Sequence, residues 1–141
     1  YLSVLNNRLA WGASQLYLHL FDIGLNEWRI LSALRNEPGI QALRVGEMVA
    51  MNKSVVSRST RRLEDLGYVV ARLDRARRLL WLTQAGAELH DKIIAIALQR
   101  EAALLDGLDK AELDRLFALL ERLRENLAKV DAVDRALMGR D

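Results

Sequence analysis

Between Asn52 and Arg78 the chain concentrates its long hydrogen-bond donors. Lys53, Arg58, Arg61, Arg62, Arg72, Arg75, Arg77 and Arg78 are positive there, and Glu64, Asp65 and Asp74 are negative, so the segment carries 8 − 3 = +5. The whole chain is +2, which leaves 2 − 5 = −3 for the remainder. Guanidinium forks match phosphates and other planar acceptors, and the serines among them (Ser54 and Ser57) add small donors that permit close approach. A basic patch on a near-neutral body points to a polyanion partner; the plainer alternative is a solvated charged surface.

Other chemistries find little support. There is no cysteine among the 141 residues, which removes disulfides, thiolate metal sites and thiol redox switches. His19 and His90 are far apart, with no ligand-spaced carboxylate or second histidine beside either, so no metal or cofactor is expected. Asp91 next to His90 reads as a surface pair on a helix. No nucleophile motif, phosphate loop or carboxylate pair stands out, and no enzyme activity is expected. Trp11, Tyr17, His19 and Trp28, with Gln15 and the cations Arg8 and Arg29, can be read as an effector pocket for an aromatic anion. Ordinary core or dimer packing is the competing reading.

These residues need elements to position them. Hydrophobic residues are 51% and charged residues 28% of the chain, a globular composition. No apolar run approaches the roughly 20 residues of a membrane span, and no signal peptide is evident, so a cytoplasmic protein is expected. With Tyr1 rather than Met in first place, the natural chain is expected to begin earlier. Helical periodicity predicts a first helix over 2–21, a second capped by Asn26 and ending before Pro38-Gly39, and a short third over 43–49. Asn52 caps a fourth. On a wheel, Val56, Ser59, Thr60, Leu63 and Leu66 fall on one side, while Ser54, Ser57, Arg58 and Arg61 fall on the other. Gly67 ends it. Strands 68–73 and 79–82 follow, joined by a charged tip, Asp74 to Arg78. Thr83 caps a long helix to about Leu105, and Asp109-x-x-Glu112 caps a last one reaching about Val130.

A short helix, a tight turn, a helix with a small cationic outer face, then a basic hairpin: this order suits a helix entering the DNA major groove with a loop beside it. On that reading Asn52, Lys53, Ser54, Ser57, Arg58, Arg61 and Arg62 form the recognition surface. Arg72, Asp74, Arg75, Arg77 and Arg78 form the wing. The chain resembles the MarR family of bacterial regulators over its whole length. The resemblance rests on Met51-Asn52-Lys53-Ser54-Val55-Val56-Ser57-Arg58, on Arg62-Leu63-Glu64-Asp65-Leu66-Gly67-Tyr68-Val69, on the wing, and on Leu82-Thr83-Gln84-Ala85-Gly86. The wing is about a residue short; of Arg75, Arg77 and Arg78, Arg77 is preferred as the minor-groove arginine.

The fold expected is mainly α with a small β-wing, one domain over 1–141. A winged helix-turn-helix lobe spans 26–83, and helices 1–21 and 84–130 serve dimerisation. The resemblance implies a homodimer on a palindromic operator in double-stranded DNA, and a pocket for a small aromatic acid whose binding releases a repressor. Dimer contacts are assigned to Leu2, Leu5, Leu9, Leu104, Leu105, Leu113, Leu116, Phe117, Leu120, Leu123 and Leu127, whose apolar stripes exceed what one small lobe can bury. The alternative is a constitutive architectural DNA-binding or protein-interaction module.

Overall fold

A computed structural model describes residues 1–139. In chain order it has α1 (Leu2–Phe21), α2 (Leu25–Asn36), α3 (Ala42–Val49), α4 (Lys53–Asp65), β1 (Val69–Asp74), β2 (Arg77–Leu82), α5 (Gln84–Leu104) and α6 (Lys110–Leu137). The backbone divides into two compact units, Tyr1–Leu98 and a second beginning at Gln99. Among the described residues no helix is long and apolar enough to cross a membrane.

The first unit has one core. Ile23, Ile30, Leu31, Leu34, Val45, Leu63, Leu80 and Ile93 are sealed from solvent, at 0–1% exposure. They come from α2, α3, α4, β2, α5 and the α1–α2 turn, so every element around the reading helix shares this core. Full burial of each such side chain is worth about 1.5–3 kcal/mol.

The turns follow from local chemistry, with three departures from the sequence reading. Helix α2 starts at Leu25 and not after Asn26, because the Glu27 carboxylate reaches back to accept the Gly24 N–H at 2.9 Å. Asn26 therefore sits in the first turn. Helix α6 runs on to Leu137, past the expected end near Val130. Val133 and Leu137 continue its apolar spacing, and no glycine intervenes before Gly139. The hairpin is tighter than expected. Asp74 pairs with Arg77 and Leu73 with Arg78, so only Arg75 and Ala76 turn the chain. Their φ values of 46° and 67° meet the type I′ requirement of two positive angles.

The base of the hairpin is tied to the helices at two joints. At Pro38-Gly39 the chain turns with Gly39 at φ 75°. The Gly39 N–H donates to the Leu80 carbonyl and the Leu80 N–H to Ile40, each at 2.9 Å. A Cβ on Gly39 would lie 2.4 Å from the Trp81 ring. The second joint is Leu-Thr-x-x-Gly. The Thr83 hydroxyl donates to the Gly67 carbonyl at 2.7 Å and accepts from the Gly86 N–H at 3.0 Å. A Cβ on Gly86 would stand 2.0 Å from the Tyr68 carbonyl oxygen. That obstacle is backbone, which cannot swing aside. Gly86→Ala should therefore lose about 1–3 kcal/mol of stability, the range for overpacking, read as a lower midpoint in chemical denaturation. A wild-type midpoint would refute the close joint.

Candidate nucleic-acid interface

Helix α4 carries the exposed cationic face. The Asn52 side chain accepts the Val55 N–H at 3.0 Å and the Ser54 hydroxyl at 2.8 Å, so both polar residues are used in starting the helix. Val56, Ser59, Thr60 and Leu63 are buried, as the wheel requires. Leu66 departs from it: it is the C-cap and 41% exposed. On the outer face Lys53, Ser57, Arg58 and Arg61 are exposed.

The arginines divide into two classes that the sequence did not distinguish. Arg62 donates to the backbone carbonyl of Asp22 and lies 3.2 Å from its carboxylate. Asp22 has φ 55° at the end of α1, so Arg62 clasps that helix end to α4. Arg78 donates to Glu64 at 2.6 Å, which ties β2 to α4. Arg72 lies over the Trp81 ring, 5.8 Å from its centroid. Arg77 pairs with Asp74 at 3.3 Å across the mouth of the turn. Arg75 alone of the wing arginines has no such partner among the described residues, and it sits at the tip. Arg62, Arg72 and Arg78 thus hold structure, whereas Arg58, Arg61 and Arg75 present free donors. Nothing in the sequence signals the Glu64–Arg78 and Asp22–Arg62 contacts, which join residues 14 and 40 apart.

The residues read as an effector pocket do not converge. Trp11 is 70% exposed on α1, with Arg8, Gln15 and His19 also exposed. Tyr17 is six residues on from Trp11, about 240° around the helix, and it is buried at 2%. It packs edge-on against Trp28, centroids 6.1 Å apart, and Trp28 stacks on His90 at 5.1 Å. Arg29 is half-buried on α2. Tyr17, Trp28 and His90 are therefore one packed aromatic stack. His90 is itself buried, and its Nδ1 lies 3.1 Å from the exposed Asp91 carboxylate, so the expected pair is made with only its acidic member at the surface. His19 instead lines a cavity of about 490 Å³ with Asp22, Tyr68, Glu88 and Lys92.

Of the positions assigned to dimer contacts, Leu2, Leu5 and Leu9 on α1 are 62%, 52% and 37% exposed. On α6, Phe117, Leu123 and Leu127 are more than half exposed, Leu120 is 39% exposed, and Leu113 and Leu116 are half-buried. Leu104 is exposed and Leu105 half-buried.

Known proteins share this arrangement. A family model described as the MarR family matches residues 21–78. The chain is 31% identical to a MarR/EmrR family transcriptional regulator from Acinetobacter sp. ADP1, over 91% of this chain and 92% of that one, with a TM-score of 0.84. It is 22% identical to S. aureus MepR, solved as a complex with DNA, over 89% of this chain and 93% of the other, TM-score 0.79. It is 25% identical to the PcaV transcriptional regulator of Streptomyces coelicolor, solved with its natural ligand, over 86% and 89%, TM-score 0.71.

The Asn52 cap is the cheapest part of the interface to test. Asn52→Ala should lower stability by about 1 kcal/mol, with helicity otherwise retained. Hydrogen exchange should locate the loosening in the first turn of α4. Unchanged protection at Val55 and Val56 would show that the cap carries nothing.

Proposed function

The chain belongs to the MarR family of transcriptional regulators, and from that premise we propose that it represses transcription as a homodimer on a two-fold symmetric operator. The observation that carries this reading is the free face of α4, where Lys53, Ser57, Arg58 and Arg61 stand exposed while the opposite face is buried. Arginine reads guanine through two parallel hydrogen bonds, and serine bonds to a base or a phosphate. Arg75 and the Asp74-braced Arg77 at the hairpin end suit a neighbouring minor groove. One such helix reads few base pairs, so two copies about 34 Å apart are needed for a long site. The exposed leucines of α1 and the stripe on α6 support that pairing, since large apolar surfaces rarely stay in water. DNA as partner puts the protein's work in the cytoplasm, and it acts by binding rather than catalysis.

Selection of bound sequences from a random duplex pool tests the reading. Wild type should enrich inverted half-sites, and light scattering should give a dimer mass. Ser57→Ala and Arg58→Ala should relax base preference at one position of each half-site, at about 1–3 kcal/mol per lost bidentate contact. Arg75→Ala and Arg77→Ala should weaken binding to all sequences and flatten its salt dependence. No enrichment above the pool would leave a sequence-indifferent architectural module, and a monomer mass at micromolar concentration would end the dimer reading.

A small ligand is proposed to release the DNA; its support is the PcaV relative, solved with its natural ligand. A coupling of about 1–3 kcal/mol would weaken operator binding roughly 5–150-fold. A panel of aromatic acids, scored by thermal shift and by operator release, should contain a compound that does both. If those that bind leave DNA affinity unchanged, binding to the operator is constitutive.

A further inference from the structure

The wing displays a leucine in water. Leu73 is 79% exposed, and apart from Tyr1 and Leu137, near the chain ends, no large hydrophobic side chain among the described residues is more so. Strand register explains its place. Val69, Ala71 and Leu73 share one face of β1 and stand opposite Leu82, Leu80 and Arg78 in the ladder. Val69 and Leu80 belong to the core, at 3% and 0% exposure, so this face meets the core at the base of the hairpin and overhangs it at Leu73.

The overhang stays bare because its neighbours are occupied. Long arginine stems commonly lie over apolar surface, and three arginines stand close to Leu73 in the hairpin. Each is held elsewhere. Arg72 belongs to the opposite face and lies over the Trp81 ring, 5.8 Å from its centroid. Arg77 is engaged with Asp74 at 3.3 Å. Arg78, directly across the ladder from Leu73, reaches Glu64 on α4 at 2.6 Å. The same contacts brace both strands beside Leu73, so the side chain is presented from a held frame.

We propose that Leu73 is a specificity-determining residue for DNA: it lies on the floor of the minor groove beside Arg75 and Arg77 and selects A·T over G·C pairs there. The proposal rests on the reading of the wing as the element that enters that groove. On the groove floor one group tells the pairs apart. A·T and T·A present only acceptors, whereas G·C adds the guanine N2 amino donor. Against a leucine that amino group loses its water and gains no hydrogen bond, which is unfavourable. Leucine is also among the apolar side chains that minor-groove proteins place against base steps. An arginine drawn to a narrow groove favours A·T-rich DNA too, but through groove width. Removing the leucine separates the two causes.

The test uses the full chain and the site it selects from a random duplex pool. The base pairs flanking each half-site are made in turn A·T, G·C, inosine·C, which lacks the amino group, and diaminopurine·T, which adds it. Wild type should bind the A·T and inosine·C duplexes alike, and each about fivefold or more tightly than the G·C and diaminopurine·T duplexes, the low end for a mismatched pair. Leu73→Ala should bring all the duplexes within about twofold of one another, the preference of that low-end pair being lost. Leu73→Met keeps the apolar reach and should keep the preference. Leu73→Asn can accept from the amino group and should turn the preference toward G·C. The side chain is exposed, so the thermal midpoints of these variants should match wild type. An A·T preference that survives in Leu73→Ala belongs to groove width and overturns the proposal. So does a wild type that ranks inosine·C with G·C, or one indifferent at the flanks while its half-sites are enriched; the operator reading stands in these cases. A pool without any enrichment ends the operator reading, and the Leu73 assignment with it.

Discussion

Val56, Thr60 and Leu63 lie along one face of α4 at 1%, 2% and 0% exposure, and the rest of the DNA-binding lobe is arranged around that burial. A helix that is to enter a groove must keep one face bare. It therefore has to be held entirely by the other. The holding face packs into the core shared by α2, α3 and the hairpin base. Two such aliphatic side chains contribute about 1.5–3 kcal/mol each, more than any exposed ion pair on this surface can. With the inner face settled, Ser57, Arg58 and Arg61 are left outward without needing partners of their own.

Burial fixes the helix in place but leaves its angle to the wing and to α1 less constrained. Two ion pairs act there. Arg62 reaches the end of α1 at Asp22, and Arg78 reaches Glu64 from β2. Exposed pairs of this kind are worth roughly 0–1 kcal/mol, so their contribution is orientation rather than stability. The same arithmetic explains why a basic segment of eight cations presents far fewer than eight free donors. About half of its arginines are consumed in positioning the remainder.

The hairpin shows a similar division. Its two-residue turn places Arg75 and Ala76 at positive φ, a conformation that costs non-glycine residues about 1–2 kcal/mol each. The tight turn keeps the Asp74–Arg77 pair in register at the hairpin mouth and puts Arg75 at the extreme tip. Glycine in the turn would relieve the strain but would remove the donor that the tip displays. The fold, with its helix–turn–helix and wing, is that of MarR family regulators. In this chain the wing is short and stiff, anchored by Gly39 against Trp81 and by Thr83 against Gly67.

The sequence by itself determined the elements and their faces. The span of α1, the Asn52 cap, the buried side of α4, the Gly67 stop and the Leu-Thr-x-x-Gly joint all follow from neighbours within a few residues, where helical period and capping chemistry act. It also localised the basic patch. The Gly24 start of α2 and the Leu137 end of α6 were misplaced because a glutamate reaching backward and a continuing apolar spacing outweighed the usual end signals. Tertiary structure alone decided which arginines are free, since Asp22–Arg62 and Glu64–Arg78 join residues that no local rule relates. It alone packed Tyr17 and Trp28 together with His90, whereas the separation of Trp11 from Tyr17 already follows from helical period.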